Sequence, residues 1–195
     1  MIPAFNHSYV LPPFEGEHLT RARSSPYEVT ATELTHRFAA SARRRLILDG
    51  LLRYRGELRS LGFVRGFQWL DGSFVEDVEA REDRAPNDVD LVTFAHPPAG
   101  MTHAQINEML STRSDLFDRE RCKKGFLCDA FLVNLTRSPE RLVDDARYWY
   151  GLYSHRRGDA LWKGLLQLPL DSDDDAARLM LDPLLNVGGS DAGTT

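Results

Sequence analysis

Cysteine is scarce in this chain of 195 residues: Cys122 and Cys128 are too few for a disulfide framework. No second Cys/His pair stands at ligand spacing, so a zinc site is not expected. No apolar run is long enough to span a bilayer. The opening Met1-Ile2-Pro3-Ala4-Phe5-Asn6 lacks the basic start and apolar core of a secretory leader. A reduced, cytoplasmic protein without a membrane association is therefore expected. Internal repeats are missing, and so is the strongly basic domain that usually announces a nucleic-acid partner, although Arg43 to Arg45, Arg119 to Lys124 and His155 to Arg157 cluster enough for a local basic pocket.

Charge is present but unevenly placed. Six of the 29 acids and one of the 24 bases fall in residues 171–195, leaving 23 of each in residues 1–170. The body is neutral and the net −5 belongs to the tail. With 42% hydrophobic and 27% charged residues, the composition is globular, and the length fits one domain over 1–170. Residues 171–195 read as an acidic helix, set apart from that domain, followed by a disordered glycine-rich end.

Proline-rich residues 1–27 suggest an extended arm. Ser41 is placed to cap a helix to about residue 61, with Ile47, Leu51, Tyr54 and Leu58 at helical spacing and Gly62 as its stop. A shorter helix precedes it from Thr30 or Thr32. Strands are predicted over 63–70, 88–94, 126–135 and 164–170, and helices over 102–114, from Ser138-Pro139 onward, and over 175–185. The charged stretch 76–86 lacks periodicity and reads as a loop. Helices and strands alternate irregularly, so the class is α/β or α+β, a small mixed sheet flanked by helices.

Two stretches carry chemistry. Leu70-Asp71-Gly72-Ser73-Phe74 closes the first long strand with a Gly-Ser turn. Asn87-Asp88-Val89-Asp90-Leu91-Val92 then sets two aspartates at alternate strand positions, where they share one face. Asp129 is a third acid, centred in the apolar run Phe126 to Val133. Charge seldom occupies a buried strand without compensation. A divalent cation is the simplest compensation for clustered carboxylates, and hard oxygen donors suit Mg²⁺.

The order of a Gly-Ser turn, paired acids and a single acid resembles the DNA polymerase beta-type nucleotidyltransferase superfamily over about 65 residues. The resemblance implies that Asp88 and Asp90 hold two Mg²⁺ ions, with Mn²⁺ an acceptable substitute. It also implies that Asp129 binds the catalytic ion and helps activate an acceptor hydroxyl. Gly72 and Ser73 would meet the triphosphate of an NTP, ATP being the favoured donor. Fourteen residues separate Ser73 from Asp88, slightly more than the superfamily's usual gap, and the excess is expected to loop out. More of the chain is similar to a short bacterial family of nucleotidyltransferase-like proteins. The shared features are Ile2-Pro3-Ala4-Phe5, Leu11-Pro12-Pro13, Leu70 to Val75, Pro86 to Leu91, and the segment from Trp149-Tyr150-Gly151 to Trp162-Lys163-Gly164.

Transfer of this kind also needs positive charge on the phosphates. Arg156, Arg157 and Lys163 are the candidates. His155 reads as a surface histidine, Asp71 as structural, and Trp149 and Tyr153 as core residues rather than platforms for a base. Polymerase thumb, RNA-binding module and helix-hairpin-helix are all lacking, so a minimal transferase is expected. Its acceptor would be a hydroxyl of a protein, an RNA end or a small molecule, and a protein encoded nearby is a candidate partner. The resemblance also implies a toxin–antitoxin or phage-defence setting. The competing reading is an inert binding module on the same fold. A three-aspartate nuclease would leave the Gly-Ser turn unexplained.

Overall fold

The computed structural model describes residues 1–16 and 23–187. It has the mixed α+β class expected from the sequence, with helices around a five-stranded sheet. The strands are β1 (Tyr27–Glu28), β2 (Gly66–Asp71), β3 (Val89–Ala95), β4 (Cys128–Asn134) and β5 (Leu166–Pro169), in the order β1-β5-β2-β3-β4. β2 runs antiparallel to both β3 and β5, whereas β3 and β4 are parallel. No helix among the described residues is long and apolar enough to cross a membrane.

The helices on one face form where sequence signals converge. In α1 (Ala31–Phe38), Thr30 and Glu33 close a reciprocal capping box, and Ala31, Leu34 and Phe38 are buried. Ser41 caps α2 (Ala42–Ser60) by accepting from the Arg44 N–H. Gly50 is required inside α2, because a Cβ there would stand 1.9 Å from the Phe126 carbonyl oxygen. Ile47, Leu48, Leu51 and Leu58 join Leu70, Val89, Leu91 and Leu166 in the main core.

Several boundaries differ from the expected ones for local reasons. β2 begins at Gly66 rather than 63, because the Phe63 N–H still bonds to the Leu58 carbonyl and closes α2. β4 begins at Cys128 because Leu127, at φ 55°, caps the preceding helix. Within the expected loop 76–86, Asp77 caps the five-residue α3 (Val78–Glu82) and Val78 is buried. α4 (His103–Thr112) is followed by α5 (Ser114–Phe117) and α6 (Arg119–Phe126), the last two in a stretch where periodicity assigns nothing. Helices this short give too few turns for a 3.6-residue period to register.

The arm expected over 1–27 is integrated into the body where it is described. Val10 and Leu11 are fully buried, and the Leu11 carbonyl accepts from the Gly164 N–H at 2.7 Å. Residues 174–187, set apart from the domain in the sequence reading, form α8 (Asp174–Val187). It packs on α1 and α2, with Ala177 and Leu181 buried in the main core. The glycine-rich end expected to be disordered, 188–195, lies outside the described residues.

α7 (Pro139–Tyr153) covers the opposite sheet face. Its Trp149 and Tyr153 pack with Trp69, Val92, Phe94 and Val133. Strand alternation places Asp71, Asp90 and Asp129 on this same face, at the end of the apolar rows.

Candidate active site

Register brings three acids into one row. Asp71 pairs with Asp90 across β2 and β3, and Asp90 pairs with Asp129 across β3 and β4. Neighbouring strands lie about 4.8 Å apart, so Asp90 has a carboxylate on either side. Asp88 stands just before β3, two residues from Asp90. The row forms the floor of a cleft of about 400 Å³, which all seven residues expected at the site (Gly72, Ser73, Asp88, Asp90, Asp129, Arg156 and Lys163) line. Other cavities of about 420 and 460 Å³ exist, so volume does not single this one out. Its chemistry does: six carboxylates face seven Lys or Arg side chains.

These charges are paired selectively. Arg119 grips Asp129 through Nε to Oδ1 at 2.5 Å and Nη2 to Oδ2 at 2.6 Å. Lys123 Nζ lies 2.5 Å from Asp88 Oδ2. Lys163 sits between Asp71 Oδ1 at 2.9 Å and Glu76 Oε1 at 2.6 Å, and Arg81 completes Glu76 at 3.0 Å. The Asp90 carboxylate makes no ion pair or hydrogen bond among the described residues. Burial, then the charges of Asp71, Asp88 and Asp129, push its carboxyl up to about 6. Burial also raises Asp71, against the pull of Lys163.

The residues fit a hard divalent cation in donor type. The strand acids supply oxygen only, and buried oxygens of Asp71 and Asp88 each meet a lysine ammonium, from Lys163 and Lys123. Burial pushes the Cys122 thiol up to about 12 and Cys128 well above its usual range, so neither is a thiolate ligand. As the side chains stand, no three His, Cys, Asp or Glu residues among the described ones are gathered into a ready metal site. Arg119 and Lys123 occupy Asp129 and Asp88 instead.

Gly72 has φ 80°, and a Cβ on it would stand 2.0 Å from Asp90 Oδ2. A side chain at position 72 therefore displaces the central acid, besides obstructing any phosphate at the turn. Ser73 opens the 3₁₀ turn Ser73–Val75 and faces the cleft.

Of the three cations expected from the sequence, Lys163 and Arg156 are already engaged. Lys163 is 2% exposed, and although burial opposes its charge, Asp71 and Glu76 raise its ammonium above the ordinary value. Arg156 holds Asp159 and the Ser8 carbonyl. Arg157 is exposed at the cleft without an ion pair among the described residues. His155 is exposed, with Nδ1 2.9 Å from the Gly151 carbonyl. The sequence marks Arg119 to Lys124 as a basic cluster, but does not assign Arg119 and Lys123 to the acids they hold. The available signal was their four-residue spacing behind Asp118, a helix-capping residue.

Tyr153 packs as expected against Trp149, with ring centroids 5.5 Å apart, but its buried hydroxyl lines the cleft without a hydrogen-bond partner among the described residues. Burial, then Asp90, Asp71 and Asp129, raise the phenol well above its ordinary range and keep it a neutral donor. Tyr153→Phe removes only this hydroxyl and should stabilise the free protein by about 1 kcal/mol in urea unfolding. A destabilised variant would mean that the hydroxyl is satisfied in solution.

The fold and cleft define an α+β protein with a row of strand-end carboxylates ringed by cations. The chain belongs to a family of unknown function (DUF6932), whose sequence profile matches residues 3–169. No curated protein and no solved structure matches it.

Proposed function

We propose that this protein is a metal-dependent nucleotidyltransferase. It would move a nucleoside monophosphate from an NTP, with ATP the favoured donor, to a hydroxyl of a protein, RNA or small-molecule acceptor. The observation that carries the reading is the row Asp71, Asp90, Asp129 beside the Gly72-Ser73 turn, with Asp90 left uncompensated at its centre.

Two Mg²⁺ ions, when bound, would neutralise the attacking and leaving oxygens of an in-line displacement. Asp88, Asp90 and Asp129 are the residues to hold them. Lys163 acts from beneath by fixing Asp71 and Glu76, and so the strand end that leads into Gly72. Ser73 and Arg157 face the space a triphosphate would fill. A cytoplasmic setting and a role in a toxin–antitoxin or phage-defence module belong to this proposal too.

A second reading has an observation of its own. Arg119 and Lys123 neutralise Asp129 and Asp88 without a metal, which suits a binding module that performs no turnover. The test is release of pyrophosphate, or transfer of label from each NTP, with Mg²⁺, neighbouring gene products and RNA present. Turnover supports the transferase. Partner binding that persists unchanged in Asp90→Asn, with no NTP consumed, supports the module.

A further inference from the structure

The cleft contains two kinds of cation. Lys163 is fixed, because its side chain is 2% exposed and leaving would strand two buried carboxylates. Arg119 and Lys123 differ: they stand four residues apart on α6, and their side chains are 52% and 43% exposed. Their partners are rooted, Asp129 in β4 and Asp88 just before β3, with side chains 3% and 12% exposed. In each pair the acid is immobile and the cation sits on a long, solvated tether. Lys123 also lies 3.9 Å from Asp129 Oδ2, so both tethers converge on the same end of the acid row.

We infer that Arg119 and Lys123 are phosphate ligands of this site, held on Asp129 and Asp88 until a divalent ion takes those carboxylates. The inference rests on reading Asp88, Asp90 and Asp129 as metal ligands. A cation that loses its carboxylate to a divalent ion is left facing like charge. A phosphate oxygen shared with that ion restores a partner, and the guanidinium fork that fits a carboxylate in two points fits a phosphate equally. No residue need refold, since only exposed side chains turn. Metal and polyphosphate therefore assist each other's binding, a reciprocal coupling.

The test uses the full chain in calorimetry, first with Mn²⁺ alone and then with the preformed complex of Mn²⁺ and inorganic triphosphate. Lys123→Gln should bind Mn²⁺ about five- to tenfold more tightly than wild type, and the triphosphate complex about tenfold more weakly. Arg119→Gln leaves Asp129 buried without its partner and risks misfolding, so Arg119→Lys accompanies it. That variant keeps the charge, loses the two-point grip and should also weaken the triphosphate complex. Arg157→Gln removes a charge from the same cleft without freeing an acid, and should tighten Mn²⁺ binding less than Lys123→Gln does.

The inference is overturned if Lys123→Gln binds Mn²⁺ no more tightly than Arg157→Gln does. It is equally overturned if the α6 variants hold the triphosphate complex as well as wild type, or if neither wild type nor variants bind Mn²⁺. The opposite shifts without NTP consumption would keep the inference and remove the transferase reading. NTP turnover with both affinities unmoved would remove the inference alone.

Discussion

Asp90→Asn should abolish pyrophosphate release, by about a thousandfold or more, while making the metal-free protein more stable at neutral pH. The carboxyl titrates near 6 in the fold against an ordinary 3.8. The folded state therefore holds its proton more tightly than the unfolded chain does. Stability from that proton is fully present below about pH 4 and is lost as pH rises through 6. Above that, ionised Asp90 costs up to about 3 kcal/mol, the free-energy equivalent of the displacement. Asparagine has the same size beside Gly72 and never ionises. In urea melts the variant should match wild type near pH 4 and exceed it by about 1–3 kcal/mol at pH 7.5. Mg²⁺ should close that gap by stabilising wild type alone, and metal binding should weaken below about pH 6, where proton and metal compete for one carboxylate. Parallel pH profiles for the two proteins would refute this account. Asp88→Asn should not show the same gain, because Lys123 already compensates Asp88.

The contrast between these two aspartates marks what a sequence can and cannot disclose. Alternation along one strand is a local property, so Asp88 and Asp90 are legible as neighbours on one face. Asp129, isolated among apolar residues, is legible as an acid that needs compensation. Lining of a single cleft by all of them with Gly72 and Ser73 follows from strand register, which the alternation constrains. Cations are harder to read, because a long flexible side chain carries no periodic signature. Lys163 reads as a phosphate ligand, but in the fold it is the buried partner of Glu76, 87 residues away. Arg119 belongs to an eight-residue helix and reaches an acid ten residues on. Asp71 reads as structural because it precedes a turn, and only its pairing with Asp90 reveals it as the end of the acid row. The α+β class and the long helix α2 follow from extended apolar patterns, whereas α3 and α5 are too short to form one.

Removing one carboxylate from the tail should have the largest effect on stability. Asp174 opens α8, in the acidic segment that composition sets apart from the body. In the fold it receives Arg55 through both oxygens, at 2.8 and 2.9 Å, and Arg59 at 2.8 Å. The Arg55 side chain is 1% exposed and also donates to Gln68 Oε1 at 2.7 Å and the Pro169 carbonyl at 2.8 Å. Gln68 in turn donates to Thr93. One guanidinium thus joins α2, β2, β5 and α8, and the link through Gln68 extends to β3. Asp174→Ala leaves that cation buried without its counter-charge and should cost about 3–5 kcal/mol, a large share of a domain's stability. Asp174→Asn keeps an acceptor and should cost less. Asp175→Ala, at a fully exposed side chain 3.8 Å from Arg59, should leave the unfolding midpoint where it is in wild type. Urea unfolding at pH 7 measures all three, and equal midpoints for the Asp174→Ala and Asp175→Ala variants would show that the link between Arg55 and Asp174 does not stabilise the fold. Because β5 pairs with β2, whose last residue is Asp71, loosening α8 should also disorder the strand end that carries the acid row. Asp174→Ala should therefore lower metal affinity from a distance, whereas Asp175→Ala should not.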